Sequence, residues 1–169
     1  MKAVLLSIRP EWCDLIVRGK KTIEVRKTSP KLKTPFKVYI YCTKARRNWL
    51  AIVPGHGWKR LDGKVIGEFT CDDLRRIGPE CCIVKEDIES AIYGSCLNIS
   101  QVKKYAGWNT GVPYASMKDL YSWHISKPKI YDQPFSPQKL TGLQNTRFGV
   151  RPVEINSPPQ SWRYVEELE

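Results

Sequence analysis

Early in the chain the apolar period switches from helical to extended across one glycine, and this switch limits the possible folds more than any other feature. Pro10 to Arg18 reads as a short helix: proline suits a first helical position, where its missing N–H costs nothing, and Trp12, Leu15 and Ile16 share a face. Gly19 supplies the permissive backbone that ends helices. From Thr22 the period is two, so Ile23 and Val25 point one way and Thr22, Glu24 and Arg26 the other. Alternation therefore sets the Glu24 carboxylate beside Arg26. It does not bring Lys21 to them; that grouping requires a twist or bulge where the strand begins. On residues alone, a solvated strand face with a weak surface ion pair explains the stretch equally well.

Strand patterns dominate the flanking sequence. Val4, Leu6 and Ile8 alternate with Leu5, Ser7 and Arg9, leaving Arg9 at a strand exit, either lining the same cleft as Lys21 or simply ending a strand. Thr28 to Pro35 is a basic, proline-punctuated loop. Phe36 to Cys42 is apolar on both faces, as an interior strand would be. Asp62-Gly63 is a turn feeding a strand from Lys64 to Cys71, whose Glu68 is expected in a structural ion pair. Asp72 to Pro79 reads as a turn. Two helices, Glu86 to Tyr93 and one N-capped by Ser100 and closed by Gly107, make a helical insertion over about 84–107. Trp108 to Met117 reads as a loop able to act as a lid. Strands follow at Leu120 to Ile125 and Lys129 to Tyr131, then a polar loop from Ser136 to Arg151. Pro158 to Val165 reads as a turn leading into an edge strand, about 158–166.

The 169 residues fit a single domain, large enough to bury roughly 68–70% of its unfolded surface without staples. Lys and Arg number 28 against 17 acids, a formal charge of +11, which favours a polyanionic partner. That charge coincides with aromatics between Thr43 and Gly63, where Lys44, Arg46, Arg47, Lys59 and Arg60 interleave with Trp49, His56 and Trp58. Cations follow phosphates while indoles stack on unpaired bases. Trp49, followed by Leu50 and Ile52, is expected in the core; Trp58, beside Lys59, is the better stacking residue; and Gly55-His56-Gly57 argues for mobility. His124, in a strand, is either a general base or, more simply, a hydrogen-bonded structural histidine. The N-terminus does not read as a signal peptide and no run of ~18 apolar residues exists, so a cytoplasmic protein without membrane contact is expected. The six cysteines are then expected to be reduced; with no C-x-x-C pair, no metal site or cofactor is called for, and no protein partner is evident.

Gly19, Lys21, Glu24 and Arg26 form G-x-K-x-x-E-x-R, which resembles the signature of ASCH domains, relatives of the PUA RNA-binding module. Leu5 to Pro10, Lys37 to Cys42, Lys64 to Phe69, Trp123 to Ile125 and Lys129 to Tyr131 are also similar to that family, in its order along the chain. The resemblance implies a mainly β fold with short α-helices, a PUA-like antiparallel β-barrel, and RNA or a modified nucleoside as partner. Small enzymes similar to ASCH domains hydrolyse an N4-acylated cytidine using a lysine at the Lys21 position, a threonine at the Glu24 position and a glutamate from a later helical segment. Here the lysine matches, the threonine does not, and no acid occurs from Gly94 through Gly107. A carboxylate close to Lys21 favours its charged form, which cannot act as base or nucleophile. Two readings stand. The first is an RNA-binding module that accommodates a single-stranded or modified nucleotide, with Arg9, Lys21, Glu24, Arg26, Lys27, Lys44, Trp58 and His124 as contacts. The second is a small hydrolase, a ribonuclease or acylcytidine amidohydrolase, with Lys21 and Glu24 catalytic.

Overall fold

The strand-helix-strand switch at the N-terminus builds a parallel crossover. In a computed structural model describing residues 1–45, 50–53, 57–82, 85–108 and 111–168, β1 (Lys2–Ile8) is followed by α1 (Pro10–Val17), β2 (Ile23–Arg26) and β3 (Phe36–Cys42). β1 and β3 pair in parallel, Val4 opposite Val38 through Ile8 opposite Cys42. Parallel neighbours need such a long connection, and here it carries both α1 and β2. α1 stops at Gly19, whose φ of +69° is costly for any residue with a Cβ. The amides of Gly19 and Lys20 turn back onto the carbonyls of Ile16 and Leu15, 2.9 and 2.8 Å away, closing the helix and reversing the chain.

The remaining elements are β4 (Leu50–Val53), β5 (Gly57–Arg60), β6 (Lys64–Cys71), β7 (Leu74–Ile77), α2 (Lys85–Ile92), α3 (Ile99–Ala106), β8 (Leu120–His124), β9 (Ser126–Phe135), β10 (Gly142–Thr146), β11 (Gly149–Val153) and β12 (Trp162–Glu166). Seven strands form one sheet in the order β11-β10-β12-β1-β3-β6-β9; β2-β8-β7 form a second, and β4-β5 a hairpin. Period-two alternation sorts the large sheet's residues into two cores. Val4, Leu6, Ile8, Val38 and Ile40 meet α1 and Trp123 on one face. Ala3, Leu5, Tyr39, Tyr41 and Val65 form a second cluster with Leu140 and Val165. The small sheet lies between the first cluster and the helices: Val25, Ile77 and Leu120 pack with Ile88, Ile92 and Val102. Because Ile23 and Val25 face the helices, Glu24 and Arg26 face the large sheet.

Several sequence expectations are corrected. The pairing among the described residues leaves β11 and β9 as free edges, so no closed barrel is seen; β2, β7 and β8 pair among themselves instead of bridging those edges. Asp72 to Pro79 is not merely a turn, since Leu74–Ile77 pairs with β8 as a short strand with exposed Arg75 and Arg76. Ser136 to Arg151 is not loop: β10 and β11 make a hairpin whose mostly solvent-exposed residues leave no apolar alternation to read. That hairpin flanks β12, which lies between β1 and β10 rather than at an edge. The strand around Lys129 to Tyr131 extends to Phe135 through Pro134, tolerated because β9 is an edge strand. Asn98, not Ser100, caps α3, exchanging hydrogen bonds with Gln101 in a capping box. The two residues before Gly57 in the presumed mobile stretch, and Arg46, Arg47 and Trp49, lie outside the described residues. Trp108, at the start of the expected lid, is buried and its indole N–H is bonded to the Lys118 carbonyl at 2.8 Å. Among the described residues no helix is long and apolar enough to cross a membrane.

Candidate functional site

The end of β1, α1, β2, α3 and the turn before β12 enclose a cleft of about 610 Å³, within the ~300–1,000 Å³ usual for small-molecule sites. Glu24 lies at its base, only 6% exposed. It is held on both sides: Lys21 Nζ is 3.2 Å from Oε2 and Arg26 Nε is 2.9 Å from Oε1. The Arg26 N–H is not directed at that oxygen, so the second contact is electrostatic rather than a hydrogen bond. Arg26 instead donates through its terminal nitrogen to the Ser7 carbonyl at the end of β1.

Lys21 is 3% exposed and does not belong to β2. The chain reversal after Gly19 swings it inward, which is how the grouping that alternation could not supply arises. Besides Glu24, its ammonium donates to the carbonyls of Ile23 (2.8 Å) and Ser95 (2.7 Å), and it sits 5.1 Å from the Trp12 ring centre. Two of the ammonium's three hydrogens go to these carbonyls, and Glu24 is an ion-pair contact at 3.2 Å. Lys21 therefore braces Glu24 against the segment between α2 and α3. Burying charges costs several kcal/mol per ion unless hydrogen bonds compensate, and the Ile23, Ser95 and Ser7 carbonyls provide that compensation.

The wall opposite α1 comes from α3. Leu97 precedes it, and Gln101 and Tyr105, four residues apart, face the cleft from one side of the helix. The Gln101 side-chain oxygen is committed to capping the helix, which leaves its amide N–H₂ as a donor. Burial pushes the Tyr105 phenol above its ordinary value, Arg26 opposing and Glu24 adding to the effect; at neutral pH it is a neutral donor and acceptor. Lys27 lies 4.9 Å over the Tyr105 ring, and Arg9 and Lys27, both exposed, form a basic rim. Among the described residues lining the cleft, Glu24 is the only acid, against Arg9, Lys21, Arg26 and Lys27.

Residues 6–159, a span that contains every side chain just described at the base and rim, match the ASCH domain family. The chain belongs to the ASCH domain family. A mutant of ZmASCH from Zymomonas mobilis is similar in structure, with a TM-score of 0.56 at 18% identity over 99% of this chain and 92% of that one. ASCH from Zymomonas mobilis gives a TM-score of 0.54 at 18% identity, covering 98% and 88%. At such identity these similarities concern the fold. No curated protein sequence matches the chain.

Three other sequence-selected residues of this ASCH domain are not among those lining the cleft. Lys44 is exposed one residue beyond Thr43, which does line it, and its side chain lies against Gly63. Trp58, 68% exposed, projects from the β4–β5 hairpin. His124 lines a separate depression of about 420 Å³, and its Nδ1 lies 2.5 Å from Asp72 Oδ1. That hydrogen bond holds the Asp72 carboxyl below its ordinary value. Glu68 takes the structural role expected of it, accepting from Tyr131 at 2.5 Å with Lys37 3.7 Å away. Burial pushes the Cys13 thiol well up, and Cys71 up to about 12. Such thiols are poor nucleophiles and ligands, and no group of three or more His, Cys, Asp or Glu among the described residues is placed to hold a metal ion. Residues the sequence reading missed are Gln101 and Tyr105, whose four-residue spacing was a usable signal, and the Ser95 carbonyl, a backbone group that carries none.

Proposed function

We propose that this protein binds RNA, taking a single-stranded or modified nucleotide into the cleft in the manner of a PUA-like module without cleaving it. The observation that carries the reading is Glu24, an acceptor fixed between Lys21 and Arg26 at the base of a cleft with a basic rim. Glutamate accepts from an exocyclic amine such as that of cytosine. Gln101 and Tyr105 offer further polar groups from the side, and Arg9 and Lys27 stand where a phosphate chain would leave. Against hydrolysis, Lys21 is buried and engaged with Glu24 and two carbonyls, and the helical wall supplies Gln101 rather than a second acid.

The test pairs affinity with turnover. Wild type and Glu24→Gln are titrated with labelled single-stranded RNA and incubated with RNA and with N4-acetylcytidine. The expected result is binding by wild type, weakened roughly tenfold or more in Glu24→Gln, and no product from either substrate. Turnover by wild type that disappears in Glu24→Gln would replace this reading with a hydrolase. With about four phosphate contacts and a slope near −0.7 for each, affinity falls roughly 50-fold over a fourfold rise in salt. Lys27→Gln lowers that slope; a flat salt response would remove the polyanion from the argument.

A further inference from the structure

The hairpin of β10 and β11 is the part of the sheet least involved in any core. Its strands pair fully, Gly142 opposite Val153 through Thr146 opposite Gly149, but β10 joins the body at only one position, Gly142 opposite Val165. Arg147 and Phe148 form a two-residue turn, closed by Gly149 at a φ of +121°. The Thr146 hydroxyl fastens that turn, donating to the Gly149 carbonyl at 2.9 Å and accepting from the Phe148 amide at 3.2 Å. A phenylalanine is thereby displayed 87% exposed on a tied turn, with the Arg147 guanidinium 4.6 Å over its ring. Arg151 is steadied in turn by two hydrogen bonds to the Gln144 side-chain oxygen, 3.1 and 2.8 Å.

The surroundings select the partner. From Gln133 to Val153 the chain has no acid, while Lys139, Arg147 and Arg151 are all cationic. An exposed ring flanked by arginines suits base stacking with phosphate pairing, the combination that single-stranded nucleic acid rewards. A protein strand adding to the β11 edge would meet Pro152, which has no N–H to donate. Direction matters as well. β10 runs antiparallel to β12, from the level of Val165 toward the end where Gln160 and Ser161 line the cleft. We infer that the β10–β11 hairpin is a second contact for single-stranded nucleic acid, Phe148 stacking on a base and Arg147 and Arg151 pairing with phosphates. This rests on the cleft reading only in that one strand would span both places.

The experiment measures anisotropy of a labelled cytidine dodecamer and a labelled cytidine dinucleotide against wild type, Phe148→Ala, Phe148→Trp, Glu24→Gln and a double Arg147→Gln, Arg151→Gln variant. Phe148→Ala is expected to weaken the dodecamer at least about fivefold, with recovery in Phe148→Trp and no change for the dinucleotide. The double arginine variant lowers the salt slope by about 1.4. Dodecamer affinity unchanged in Phe148→Ala overturns the proposal, as does a variant that alters only the oligomeric state in size-exclusion chromatography. Failure of the cleft reading is seen separately, as dinucleotide binding indifferent to Glu24→Gln, and leaves the Phe148 comparison decisive for the hairpin.

Discussion

β2 and β8 are hydrogen-bonded neighbours, Ile23 opposite His124 and Glu24 opposite Trp123, and each carries one member of a pair between a carboxylate and a nitrogen base. Around Glu24 the side chains of Lys21 and Arg26 are 2% and 13% exposed. His124, paired with Ile23 on the opposite face at the same end of the strand pair, and Asp72 are 43% and 42% exposed. The chemistry is similar and the medium is not. At the base of the cleft these side chains present little surface to water, so the charges depend on one another and on three carbonyls. At the Asp72 site water competes for both partners, and a 2.5 Å hydrogen bond is compatible with a small contribution to stability. Short distances therefore do not rank the two sites; burial does.

The sharpest break in this comparison is Lys21→Met, which keeps the apolar stem and removes the ammonium. It strands Glu24 and two carbonyls in a dry setting, and urea denaturation is expected to show a loss of about 3–5 kcal/mol. A loss under ~1 kcal/mol would mean that water reaches Glu24 freely and that the two sites are alike. The Asp72 site defines the small end. His124→Gln is expected to change stability by no more than ~1 kcal/mol and to leave RNA affinity unaltered; a marked loss of affinity would bring the 420 Å³ depression into the binding surface. Its pH dependence has a definite sign. The folded Asp72 carboxyl is held below its reference value of 3.8, so its contribution is present above that value and lost as pH falls through the lower folded one. Asp72→Asn should consequently match wild type in strong acid and fall slightly below it near neutrality, read from unfolding midpoints across pH.

Much of the frame was legible because local rules and tertiary packing agree there. β3 and β6 were recognisable as strands with the observed limits, and α1 began at its proline and ended before its glycine. Where packing leaves a segment wet, the signal fades. β10 and β11 alternate nothing apolar because both sides meet solvent, so the sequence pattern predicts a loop there and an edge at β12, where the structure has a hairpin flanking β12. β7 is four residues long with two exposed arginines, too brief for a period to register.

By itself the sequence determined that Glu24 and Arg26 share a side of one strand, because alternating side chains leave no other choice, and that a helix must close just before them at Gly19. It also determined the ASCH motif and the surplus of cations. Only the tertiary structure decided that Lys21 joins that pair, since a reversed chain and the Ser95 carbonyl, 74 residues away, are needed to hold it there. Only the tertiary structure, too, separated His124 and Trp58 from the cleft. Partnership between residues distant in sequence is set by which surfaces bury together, and no local period records that.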